Sequence, residues 1–259
     1  MPKISSTHSP RPPAIALLAI EPMRATIDFC LSLLGRKPRA TGDGHPVLVL
    51  PGLAAGDWST LRLRRVLDRA GFKTSEWGMG INRGPQGDFD KWLAGLEAKV
   101  RELHAQNGRK VSLVGWSLGG IYARELAKRT PELVRQVVTL GSPFGAPGAS
   151  HAGGVFRLLN AGHSQLTPAL ERRLRRDPPV PTTAVYSKTD GVVAWEGCTV
   201  RESATAENIE VSCVSHCGLG THPRVLRIVV DRLSQPQGRW RPYREARPAK
   251  PLRLVPRTV

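Results

Sequence analysis

The chain has 259 residues, 40% of them hydrophobic, and a formal net charge of +17. That suits one larger α/β domain with a real core, while no apolar run approaches the length of a membrane span. The positive charge comes without the aromatic-rich or repeated basic motifs of nucleic-acid readers, so no nucleic-acid partner is expected. It is read as a solvated surface, with peripheral contact to an anionic membrane as the alternative.

Residues 1–13 are rich in Ser and Pro and are expected to be disordered. Residues 14–40 form an N-terminal segment whose apolar residues fall on a helical period, broken at Glu21-Pro22 into one helix or two. Packing on the domain is the first reading of this segment, and a membrane-surface helix the alternative, because Arg24, Arg36, Lys37 and Arg39 cluster around it. Basic residues precede it but no small-residue cleavage site follows, so a cytoplasmic protein is expected; membrane association and secretion stay open.

A single domain is expected over residues 41–235. Its predicted strands lie at 47–50, 72–77, 111–114, 134–140, 183–187 and 209–214. Between them come helices at 58–70, capped by Asp57 and stopped by Gly71, and at 89–107, between an Asp88 cap and Gly108. Another follows residue 117, and the last spans 223–233. Residues 145–181 break this alternation with two short helical patterns and read as a lid over the strand ends. The tail, 236–259, holds seven basic residues against one acidic. Strands alternating with helices imply a minimal, mostly parallel sheet of about six strands covered on both faces. Ligands bind such sheets beyond the carboxyl ends of the strands.

Three loops at those ends carry chemistry. In KVSLVGWSLGGIYAREL an apolar strand runs through Gly115-Trp116-Ser117-Leu118-Gly119 into a helix. This is the context in which G-x-S-x-G means a nucleophile elbow: a strained turn exposing a serine hydroxyl, with neighbours too small to collide. Asp190 follows the fifth predicted strand in YSKTDGVV, and His216 follows the sixth in VSCVSHCGLG. A neutral imidazole can take the serine proton, and a carboxylate on its far nitrogen fixes the tautomer. His216 is preferred to His222, which reads as a helix-start residue, and Asp190 to Glu196. Oxyanion donors are expected from the N–H groups of Leu118, after the nucleophile, and Leu53, after Pro51-Gly52. Leu53, Trp116, Phe144 and Trp195 are expected to supply apolar walls for substrate.

LVLPGLAAGD, GWSLGG, TLGSPFG, YSKTDGVV and SHCGLG together resemble the α/β-hydrolase superfamily, specifically its bacterial lipase- and esterase-like members, over residues 45–234. The resemblance implies the α/β-hydrolase fold and a serine esterase with neither metal nor organic cofactor. It implies Ser117, Asp190 and His216 as the triad and Leu53 and Leu118 at the oxyanion hole. This chain departs from many members in having Pro51-Gly52 where they have His-Gly, and in lacking two leading strands.

The expected reaction is hydrolysis of a small-molecule or lipid ester through an acyl-enzyme. Acyl transfer or thioester hydrolysis on the same triad is the close alternative. A membrane- or polyanion-binding scaffold with an idle triad is the reading from another class, and it would need the tail and the Arg-rich stretch at 172–176 to form one face. Four cysteines are too few for a disulfide scaffold. Cys213-x-x-x-Cys217 beside His216 and His222 matches no standard structural zinc spacing. Cys198 and Cys217 either bridge the acid and histidine loops or are small buried thiols.

Overall fold

A computed structural model describes residues 10–34, 41–160 and 166–244. Residues 1–9 of the expected disordered segment at 1–13, 35–40 of the N-terminal segment, 161–165 of the expected lid and the tail beyond 244 lie outside the described residues.

Six parallel strands form one sheet in the order β2-β1-β3-β4-β5-β6. They are β1 (Pro46–Leu50), β2 (Lys73–Ser75), β3 (Val111–Trp116), β4 (Val134–Leu140), β5 (Thr182–Tyr186) and β6 (Ala206–Glu210). β1 is wholly buried, as a central parallel strand must be, and its side chains alternate between two cores. Val47 and Val49 join the core under α2 (Asp57–Arg69) and α7 (Pro223–Leu233). Leu48 and Leu50 join the core under α3 (Phe89–Asn107) and α4 (Leu118–Arg129). The chain runs outward from β1 to β2 and then crosses back to β3. The loops after β1 and β3 therefore part at a topological switch point, where open α/β sheets bind ligands.

Local chemistry sets most boundaries. The Asp88 carboxylate accepts from the Lys91 N–H at 2.9 Å to start α3, and Gly108 ends it in the left-handed region at φ 61°. Asp57 does not cap α2 as expected. Gly56 takes that place, and the Asp57 side chain instead accepts from the N–H groups of Trp77 and Gly78, at 3.0 and 3.2 Å. The first helix is α1 (Ile15–Leu34), continuous through Pro22 rather than broken there. The insertion folds as α5 (Gly153–Asn160) and α6 (Pro168–Arg175).

The last strand is displaced from its expected position. β6 spans 206–210, and the apolar run after it is a turn, with Cys213 at φ 61°. Val211 and Val214 are buried in a core without belonging to a strand. His216 consequently sits at the end of a six-residue loop, not immediately after a strand.

Candidate active site

Ser117 lies between β3 and α4 with φ 52° and ψ −120°, a strained conformation for a side chain with a Cβ, costing about 1–3 kcal/mol. The surrounding glycines allow it. A Cβ on Gly115 would stand 2.3 Å from the Gly119 carbonyl oxygen, and one on Gly119 would stand 2.3 Å from that of Leu50. The turn therefore closes against both β3 and the end of β1, leaving Ser117 half-buried with its hydroxyl directed at His216.

The Ser117 Oγ is 3.0 Å from His216 Nε2, and His216 Nδ1 is 2.7 Å from Asp190 Oδ2. Asp190 is 3% exposed and His216 is 5% exposed. The other Asp190 oxygen accepts from the N–H groups of Val192 and Val193, at 2.8 and 2.9 Å, which locks the carboxylate's orientation. Burial pulls the His216 pKa down, but the charge and hydrogen bond of Asp190 outweigh it, and Glu21 adds to them. The net effect raises the imidazole above its ordinary value.

The loop after β1 comes close to the serine: a Cβ on Gly52 would lie 3.2 Å from that of Ser117. Beside it, the Ala54 N–H donates to Asn82 and the Ala55 N–H to Gly52. The N–H groups of Leu53 and Leu118 donate to no protein acceptor among the described residues. Leu118 also opens α4, so its amide carries the positive end of the helix dipole.

The expected apolar walls are placed differently. Trp116 donates its indole N–H to the His216 carbonyl at 3.1 Å and so braces the histidine loop. Phe144 is 2% exposed, with the Arg124 guanidinium 3.7 Å above its ring, and belongs to the core rather than to an open wall. Trp195 stacks on Tyr186 with ring centroids 5.6 Å apart. A surface groove lined by Trp77, Met79, Ile81, Arg83, Gly84, Gln86 and Trp92 includes none of these three, nor Leu53, Ser117, Asp190 or His216.

His222 caps α7, its ring accepting from the Arg224 N–H at 3.3 Å, and Glu196 is exposed on a short turn. The Cys198–Cys217 bridge does not form: all four cysteines are free, Cys198 buried and Cys217 exposed.

Two residues that sequence reasoning passed over complete the surroundings. Glu21 on α1 is 5% exposed, and its carboxylate accepts from the backbone N–H groups of His216, Cys217 and Gly191. Asp28, one face-repeat further along, accepts from the Ser215 N–H at 2.9 Å and its hydroxyl at 2.6 Å. Arg24 lies between them and donates to the Thr189 carbonyl and hydroxyl. α1 thus grips both the acid loop and the histidine loop. Its only sequence signal is a run of charged residues on one face of an otherwise apolar helix.

A family model described as the alpha/beta hydrolase family matches residues 47–258. The chain belongs to that family. Among curated proteins it resembles mouse Serine hydrolase BPHL at 34% identity over 39% of this chain and 37% of that protein. The human protein is 36% identical, with 39% and 38% covered. Each match thus spans well under half of its mammalian relative. Among solved structures, Aspergillus fumigatus lipase B superposes with a TM-score of 0.60 at 17% identity, covering 80% of this chain and 57% of that one. Bacillus licheniformis lipase BlEst2 gives 0.58 at 17%, covering 77% and 96%. At these identities the structures share the fold alone.

Proposed function

We propose that this alpha/beta hydrolase cleaves carboxylic esters through an acyl-enzyme on Ser117. The observation that carries the reading is the unbroken hydrogen-bonded line from the strained Ser117 through His216 to Asp190. His216 Nε2 takes the hydroxyl proton as Oγ attacks the ester carbonyl. The Leu118 and Leu53 amides receive the developing oxyanion, and Asp190 stabilises the imidazolium. The imidazolium then protonates the leaving alkoxide, the carbonyl re-forms, and the acyl group stays on Ser117. Water, deprotonated by the same imidazole, releases the acid. The similarity to proteins named serine hydrolase and lipase accords with this chemistry.

The test is hydrolysis of p-nitrophenyl butyrate and palmitate by wild type and Ser117→Ala, with fluorophosphonate labelling of both. Wild type is expected to turn over at least one ester and to label at Ser117, and the variant to do neither. A Ser117→Ala protein as active as wild type ends the mechanism.

A further inference from the structure

α1 is built inside out. Its three charged residues, Glu21, Arg24 and Asp28, all face the domain, together with Ser32, which is 1% exposed. The side turned to solvent carries no charge. Seven of the eleven exposed large apolar side chains among the described residues lie on this one helix, including Met23 at 60%, Ile27 at 51% and Phe29 at 47% exposed. Ile20, Met23, Ile27 and Leu31 recur at three- and four-residue spacing and form a stripe along it. An apolar stripe of this length on the surface of a monomer marks a contact.

Charge chooses the occupant. Lys3 and Arg11 precede the helix in sequence, and Arg36, Lys37 and Arg39 follow it. Arg62 of α2 donates to the Ser32 carbonyl, and α7, with Arg224 and Arg227 in its first two turns, packs against α1. Trp58 stands one turn before Arg62 on α2 and is 72% exposed, an indole suited to the headgroup level. A net charge of +17 opposes stacking a second copy here and favours an anionic surface. No described helix is long and apolar enough to cross a membrane. Among the described residues, the two basic stretches do not share a face. Arg173 of α6 is held by Glu125 and Asp90 on the α3–α4 side, whereas the described part of the tail, 236–244, packs through Arg241 and Tyr243 against Arg232 of α7.

We propose that the outer face of α1 seats the protein on an anionic lipid bilayer, lying in the interface plane. The test is co-sedimentation of Ser117→Ala protein, in which hydrolysis plays no part, with vesicles of phosphatidylcholine alone or with added phosphatidylglycerol. Binding to the anionic vesicles should weaken with salt and fall roughly tenfold or more in Ile20→Asn/Ile27→Asn. Both side chains are exposed, and unchanged circular dichroism identifies a folded variant; Phe29→Ser is the second variant should the first misfold. Absent binding, or binding that these substitutions leave untouched, overturns the proposal. So does a concentration-dependent dimer in vesicle-free solution that the same substitutions dissolve.

A second inference stands on the inner face and rests on the triad reading. We infer that Glu21 is a positioning residue: by holding the amides of Gly191, His216 and Cys217 it fixes the acid and histidine loops relative to each other. The titratable groups around His216 are Asp190, Ser117, Cys217 in its own turn, and from α1 Glu21, with Arg24 3.6 Å from it and Asp28 on Ser215. Glu21→Gln is expected to lower kcat roughly tenfold or more with KM little changed, and to move the acid limb of kcat/KM to lower pH, since it removes a negative charge beside His216. Glu21→Asp, which keeps the charge, should restore the limb. Unaltered kcat, or reduced kcat with an unmoved limb and a lowered Tm, overturns the inference. Retained activity in Ser117→Ala would instead remove the triad reading beneath it.

Discussion

Asp190→Asn tests the proposed triad most sharply, because the structure dictates how the amide must sit. In the wild type one carboxylate oxygen accepts two backbone N–H groups, from Val192 and Val193, and the other accepts from His216 Nδ1. An asparagine has one acceptor, and two amide donors require it. Its NH2 group must then face His216 Nδ1, which becomes the acceptor. The ring proton moves to Nε2, pointing a donor at Ser117 Oγ where a lone pair is needed. The base is lost with the fold intact, since the asparagine keeps both loop hydrogen bonds. The expected loss in kcat is ~10⁴-fold, the scale for a wrong tautomer, or about 5.4 kcal/mol of barrier at 1.36 kcal/mol per decade. The assay is the pre-steady-state burst on a p-nitrophenyl ester, alongside the rate of fluorophosphonate labelling, with Tm as the fold control. An Asp190→Asn enzyme within tenfold of wild type on either readout refutes the argument, since it would show that the tautomer does not matter.

The pH dependence follows from the same residues. His216 must be neutral to act as base and its pKa is raised, so kcat/KM should fall as pH drops through a midpoint above about 6.5; a midpoint below 6 contradicts the electrostatics. In Gly119→Ala the new Cβ would meet the Leu50 and Pro51 carbonyl oxygens at 2.3 and 2.6 Å, both backbone atoms that cannot rotate away. A stability loss of about 1–3 kcal/mol is expected from denaturant unfolding, with a larger loss of activity, because the displaced segment leads to Leu53; unchanged values on both counts would show that the turn has slack. His45 gives a stability prediction. Burial, only partly offset by its Asp43 hydrogen bond, holds its pKa at about 4 against an ordinary 6.5. Between those values the unfolded chain binds more protons, so this contribution is present above about pH 6.5 and drains away towards pH 4, on the order of 3 kcal/mol in all. His45→Gln should show a shallower decline of unfolding free energy over that window, and parallel curves would refute the assignment.

Sequence reasoning reached furthest where one residue type has one physical job. The glycines around Ser117 could be read because a strained elbow permits nothing larger, and Asp88 and Gly108 because helix ends need an acceptor and a left-handed residue. It failed where tertiary contact overrides local pattern. β6 reads Ala-Glu-Asn-Ile-Glu, too polar to look like a strand, because it is an edge strand beside β5 whose buried Glu207 is held by Thr183 and Arg232. The apolar residues after it looked like the strand because Val211 and Val214 reach a core from a turn. Phe144 was misplaced because an aromatic after a strand end signals apolar surroundings without saying whether they open to solvent. Glu21 could not be read at all: its acceptor role depends on amides up to 196 residues away, and no spacing encodes that.

The chain contains a second Ser-His-Asp line, and it shows what the distances alone do not decide. Asp43 Oδ1 lies 2.5 Å from His45 Nδ1, and His45 Nε2 lies 2.8 Å from Ser112 Oγ, values as good as those of the proposed site. Yet Ser112 is inside β3 and, like His45, 0% exposed, so no ester can reach it. It sits near the amino end of its strand, away from the switch point and from any helix N-terminus. Its partner Asp43 is also held by Arg109 and Arg135, at 2.7 and 2.8 Å, which spend the carboxylate's charge on ion pairs. Burial keeps His45 neutral, and Asp43 offsets only part of the cost of charging it, so its conjugate acid is disfavoured. His216, by contrast, is raised by Asp190 and Glu21 and faces a half-buried serine beside two amides with no protein acceptor among the described residues. A base needs somewhere to put the proton and a substrate to take it from. Fluorophosphonate should therefore modify Ser117 and leave Ser112 untouched, as located by fragment-ion sequencing of the peptide that carries both, although both serines are hydrogen-bonded to a histidine.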